Sequence, residues 1–118
     1  MTDKILEEIE DLATNFEACH KTLAAIGNET RQRIILEMMR MDYNGSRVLD
    51  ISVKTNLSRP AVSHHLKILK DAGIVRVRKE GTKNYYYLDP DMVSFNRLSD
   101  ALCQAVDICA MLPDRSGE

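Results

Sequence analysis

Only Asn56-Leu57-Ser58 separates two short helical stretches, Ile51 to Thr55 and Arg59 to Ala72. Asp50 is a plausible N-cap for the first, and Asn56 can end it in a left-handed conformation. Leu57 packs inward, Ser58 caps the second stretch, and Pro60 is tolerated in its first turn. Val62, Leu66 and Leu69 follow at steps of four and three, which gives the second helix one apolar face. Gly73 stops it. Two helices joined by so short a turn have the spacing of a helix-turn-helix.

Beyond Gly73 the period changes. In IVRVRKEGTKNYYYL, Ile74, Arg76 and Arg78 alternate with Val75 and Val77, and Tyr85 and Tyr87 alternate with Tyr86 and Leu88. Period two about a Glu-Gly-Thr-Lys-Asn turn predicts a β-hairpin with a basic tip. Upstream, a helix is expected from Glu29 to about Arg40, with Thr30 in its first turn and Ile34, Ile35, Met38 and Met39 buried. The stretch MDYNGS after it reads as a loop.

Each end of the chain carries an apolar seam. Ile5, Ile9, Leu12, Phe16, Cys19 and Leu23 define one amphipathic helix that Gly27 and Asn28 break. From Asp89 onward, Phe95, Leu98, Leu102, Ala105, Cys109 and Leu112 repeat at alternating steps of three and four, a coiled-coil pattern. The expected fold is therefore mainly α with a small β-hairpin, one domain over residues 1–118. Its parts are an N-terminal helix (1–26), the helix-turn-helix and hairpin (29–88) and a C-terminal helix (89–112). A chain of this length has a modest core that self-association would help.

The formal net charge of -2 conceals an asymmetry. Residues 1–20 carry -5 and residues 88–118 carry -4, whereas residues 57–87 carry +5 from seven bases and two acids. A basic centre between acidic ends fits a local anion-binding surface, although a merely solvated face would share the composition. No stretch is long enough to span a membrane, and the acidic N-terminus is unlike a signal peptide. Three cysteines without a CxxC pair argue against a disulfide framework and for thiols in a reducing compartment. A cytoplasmic protein is expected.

On the face of the second helix opposite Val62, Leu66 and Leu69 lie Arg59, Ser63, His64 and Lys67. Such groups meet phosphates and base edges when a recognition helix enters the major groove. Arg78, Lys79 and Lys83 of the hairpin would lie along a flanking phosphate strand. Adjacent histidines diverge on a helix, so His64 and His65 are poor partners for one metal ion. His64 is expected to face DNA and His65 to lie half against the core. No paired carboxylates, Gly-rich phosphate loop or nucleophile–base arrangement points to an enzyme.

The ordered set LAAIGNETRQRIILEMM, LSRPAVSHHLKILKDAGIVRVRKEG and YYYL resembles the ArsR/SmtB family of winged-helix repressors over residues 21–88. The resemblance implies a homodimer, paired through the first and last helices, that binds double-stranded operator DNA and represses a nearby operon. It also implies a sensor. Where relatives carry Cys-x-Cys-Asp at the start of the third helix, this chain has Arg47, Val48, Leu49 and Asp50. Where others carry an Asp-x-His and a His-x-x-Glu, the corresponding stretches here, DPD and CQAVDICAM, have no histidine.

The remaining candidates are Cys19, Cys103 and Cys109, and some members of the family sense trivalent arsenic or antimony through cysteines at alternative places. Three thiolates suit a soft ion such as As(III) or Sb(III), and a thiol pair suits an oxidant or reactive sulfur. Cys19 and Cys109, on the seams, are equally well read as small buried hydrophobes. Two rivals remain. One is a constitutive or otherwise induced winged-helix regulator with structural cysteines; the other is a winged-helix module that binds an acidic protein.

Overall fold

The computed structural model describes residues 2–117. Its helices are α1 (Asp3–Ala18), α2 (His20–Ile26), α3 (Glu29–Arg40), α4 (Val48–Thr55), α5 (Arg59–Asp71) and α6 (Met92–Met111), with strands β1 (Val75–Glu80) and β2 (Lys83–Leu88) between α5 and α6. The chain forms two compact units. One holds residues 21–92; the other joins the residues up to 20 with those from 93 onward.

In the central unit, local chemistry sets each boundary of the helix-turn-helix. The Asn56 backbone takes φ 57° and ends α4. The Ser58 side chain accepts the Ala61 N–H and starts α5, with Pro60 in the first turn. At the far end, Gly73 N–H donates to Lys70 O and Ile74 N–H to Leu69 O. That pair of hydrogen bonds is a Schellman closure, and Gly73 supports it at φ +75°. Asn28 caps α3 by accepting the Arg31 N–H at 3.0 Å.

Ile34, Ile51, Val62, Leu66 and Leu69 are fully buried, with Val75 beside them at 1% exposure. Removing side chains of this size from water stabilises by about 1.5–3 kcal/mol each, so three helices and the hairpin share one core. β1 and β2 are antiparallel with Val75 opposite Leu88 and Glu80 opposite Lys83. The turn is only Gly81-Thr82, tighter than the five-residue turn expected, because Gly81 at φ +63° supplies the first position of a two-residue hairpin loop. Ser46 and Tyr86 exchange backbone hydrogen bonds of 2.8 and 2.9 Å, which ties the loop before α4 to the wing.

Four further expectations change. α4 begins at Val48 with Arg47 as N-cap, so Asp50 lies in the first turn, where its negative charge also suits the helix dipole. Met39 is 66% exposed, one residue beyond the face that buries Ile34 and Met38. The single N-terminal helix is divided at Cys19, whose φ of -90° and ψ of 5° interrupt α1 before α2 starts.

The fourth concerns α6, which buries Leu98, Ala101 and Ile108 and leaves Leu102, at 52% exposure, and Cys109 outside. The inward face is rotated from the expected seam because α6 is apolar on more than one side. α1 buries no residue completely, and Phe16 of its seam is 52% exposed. Within this unit the Gln104 side chain donates to Glu8 O at 3.3 Å.

Candidate nucleic-acid interface

On α5, Arg59, Ser63, His64 and Lys67 are all exposed, while Val62, Leu66 and Leu69 are fully buried. Arg59, Ser63 and Lys67 follow at steps of four, so they form one outward row. The core anchors this helix from behind, and its start is pinned by Ser58.

The wing divides the three basic residues expected along the phosphate strand. Cross-strand pairing puts Arg78 opposite Tyr85 and Glu80 opposite Lys83, so Arg78 and Lys83 share a face, and Lys79, opposite Asn84, lies on the other. Arg78 is already engaged. It donates to Asn44 O at 2.7 Å and to Glu80 Oε1 at 2.9 Å, and its guanidinium stands 5.3 Å from the Tyr85 ring centroid. Lys79 and Lys83 are exposed and form no ion pair among the described residues.

His65 is half-buried and His64 exposed; their rings meet edge to face with centroids 5.4 Å apart. Arg31 Nη1 lies 3.4 Å from His65 Nδ1. A guanidinium only donates, so Nδ1 must accept and the neutral ring carries its proton on Nε2. Burial first, then the charges of Arg31 and His64, hold the His65 pKa below its ordinary 6.5.

Sequence reasoning overlooked the residues that lock this surface in place. Arg31 Nε donates to Ala25 O at 2.7 Å and Nη2 to Ala24 O at 3.0 Å, while Gln32 donates to Ile26 O at 2.6 Å. Arg33 bonds the Thr55 carbonyl, and Ser52 Oγ bonds the Leu57 carbonyl. Helix C-termini leave carbonyls without helical partners. α2 has no basic residue in its own last turn, so the donors come from the start of α3. Three long donors in a row after the Gly27-Asn28 break were the available signal.

Cys19 is 2% exposed, at the junction of α1 and α2, whereas Cys103 and Cys109 are exposed on α6. Among the described residues, no three His, Cys, Asp or Glu side chains gather where they could hold one metal ion.

A family model described as bacterial regulatory protein, arsR family, matches residues 28–77. An uncharacterized HTH-type transcriptional regulator of Methanocaldococcus jannaschii is 42% identical over 79 residues, 66% of this chain and 85% of that protein. The chain belongs to the ArsR family. An arsenical resistance operon repressor of Bacillus subtilis is 30% identical over 97 residues, 82% of this chain and 87% of the repressor. Some other relatives are matched over a shorter share of their length, 59% and 55% in two cases. The crystal structure of an ArsR family transcriptional regulator superposes with a TM-score of 0.66 at 16% identity, over 82% of this chain and 95% of that one, and shows the shared winged-helix fold.

As an ArsR-family member, the protein is a DNA-binding transcriptional regulator with a winged helix-turn-helix. Its matched segment runs from the cap of α3 into β1. α1, α6 and all three cysteines lie outside it, so family membership defines the DNA reader and leaves the signal open. No helix among the described residues is long and apolar enough to cross a membrane.

Proposed function

We propose that this ArsR-family regulator is a homodimeric repressor of operator DNA, released by a thiol-reactive signal. The observation that carries the DNA reading is the division of α5, with Arg59, Ser63, His64 and Lys67 outside and Val62, Leu66 and Leu69 inside. In this reading the outer row enters the major groove, and Arg78, Lys79 and Lys83 follow flanking phosphates. Pairing is supported by apolar surface that one chain leaves uncovered, including Phe16 at 52%, Leu102 at 52% and Val106 at 68% exposure.

Cys103 and Cys109 carry the sensing reading because their thiols are exposed. Six residues apart, they stand about 120° around the helix and about 9 Å along it, so one ion shared between them draws on a further thiol. The partner copy would supply it, or Cys19 once uncovered. Ligation or oxidation there would change how two copies pair and hence the spacing of their recognition helices. Each factor of ten in operator affinity is about 1.4 kcal/mol.

Fluorescence anisotropy of the reduced protein on its own upstream DNA tests both halves. Binding that weakens with salt and is lost in Lys67→Ala supports the DNA reading; no duplex binding would favour an acidic protein partner. Arsenite, antimonite, zinc, cadmium and a mild oxidant are then added. Release that Cys103→Ser and Cys109→Ser abolish supports the sensor. DNA binding that none of these reverses leaves a constitutive or differently induced regulator.

A further inference from the structure

Arg47 stands immediately before α4, the first helix of the helix-turn-helix. Its guanidinium carbon lies 5.9 Å from the centroid of the Tyr85 ring, the ring that also holds Arg78 at 5.3 Å. Two cations thus share one aromatic residue midway along the wing. Arg78 is balanced by Glu80 Oε1 at 2.9 Å. Arg47 is not: it is half-buried, and among the described residues it forms no ion pair and its side chain donates no hydrogen bond. Its five N–H donors are unspent.

Like charges gathered on one ring repel unless an anion joins them. A ring face fixes the plane of a guanidinium without using its hydrogen bonds, so the donors stay available for a planar, two-pronged contact with a phosphate. The first helix of a helix-turn-helix is the element that crosses the nucleic-acid backbone while the second reads the groove. We infer that Arg47, oriented by Tyr85, is a phosphate contact of the bound duplex. Arg78 assists by its charge, with Nε and Nη1 committed to Glu80 and Asn44. Arg47 therefore adds affinity without sequence preference. This inference rests on the DNA reading of α5 proposed above.

The test uses the full chain and a mixed-sequence duplex, so no operator need be known. Anisotropy titrations over a range of salt give the slope of log affinity against log salt. A contact that neutralises one phosphate contributes about 0.9 to that slope, which is about eightfold in affinity at 0.1 M salt and fades as salt rises. Arg47→Gln is expected to lose that much, and Arg47→Lys, which keeps the charge, to retain the slope. Both should unfold near the wild-type temperature, because neither removes an ion pair or a side-chain hydrogen bond. If Arg47→Gln binds with the wild-type slope while Lys67→Gln loses its share, the inference is overturned and the DNA reading stands. A lower unfolding temperature with an unchanged slope also overturns it, since Arg47 would then be a strut for the wing. If the wild type fails to bind duplex at all, both readings fall together.

Discussion

Arg31 is the side chain whose loss should be felt most widely for its size. It lies in the first turn of α3, yet its guanidinium serves the end of α2 and the recognition helix. Two of its donors meet main-chain carbonyls, Ala25 O at 2.7 Å and Ala24 O at 3.0 Å. A hydrogen bond from a charged donor contributes about 1.5–3 kcal/mol net, and less where solvent competes. The first bond is part-buried and the second exposed, so Arg31→Met should lose about 2–3 kcal/mol in total.

With a urea dependence of about 1–3 kcal/mol per molar, that loss moves the unfolding midpoint by about 1 M. Arg31→Lys keeps the charge but not the planar fork, and should recover less than half. The same substitution has a second, independent reading. Removing Arg31 removes one of the charges that depress the His65 pKa, so His65 should titrate closer to 6.5, with burial still holding it lower. Urea unfolding and proton NMR of the histidine rings measure the two effects. The reasoning is refuted if Arg31→Met unfolds within about 0.5 kcal/mol of wild type, the scatter of ordinary surface substitutions. A His65 titration that stays in place would refute the Arg31–His65 contact separately.

Two further outcomes follow from the same geometry. His65 is held neutral in the folded state, so in the window from its ordinary 6.5 down to its depressed value the unfolded chain binds more protons. Stability should therefore fall as pH drops through that window and level off below it, and His65→Gln should flatten this part of a urea-midpoint profile. Parallel profiles for the two proteins would sink the assignment. Gly45 sits at φ +136°, and a Cβ there would lie 2.9 Å from Tyr85 Cβ. Gly45→Ala should cost about 1–3 kcal/mol, since this backbone region is nearly closed to other residues. Gly81→Ala, at φ +63° with open space around it, should cost less in a side-by-side thermal melt.

The helix-turn-helix was legible in the sequence because local chemistry writes its boundaries. Asn56, Ser58, Pro60 and Gly73 each do in the structure what their side chains or backbone freedom prescribe. Where a boundary depends on no special residue, the sequence carries no mark of it. Cys19 interrupts the N-terminal helix at φ -90° and ψ 5°, the geometry of the third residue of a type I turn, which suits most residues, so the apolar spacing ran on through the break. Asp50 shows a different ambiguity, because an acid suits both the cap and the first turn of a helix. The exposed rows of α5 and the wing followed from periodicity. The bonds of Arg31, Gln32 and Arg33 did not, because their acceptors are carbonyls on other helices.

The expected seam of α6 and the face the chain buries share Leu98 but part at Leu102 and Cys109, and the reason bears on function. Val93, Leu98, Ala101, Leu102, Val106, Ile108, Cys109 and Met111 spread apolar surface over more than one face. A single helix face can pack inward only once. Leu98, Ala101 and Ile108 take that place, and Leu102 and Val106 are left outside at 52% and 68% exposure. A helix apolar on more than one side is one that expects a second neighbour. The exposed thiols Cys103 and Cys109 flank this open stripe on the same helix. The proposed pairing surface and the proposed sensor therefore fall on one element, so that a reagent added to either thiol alters the surface through which two copies would meet.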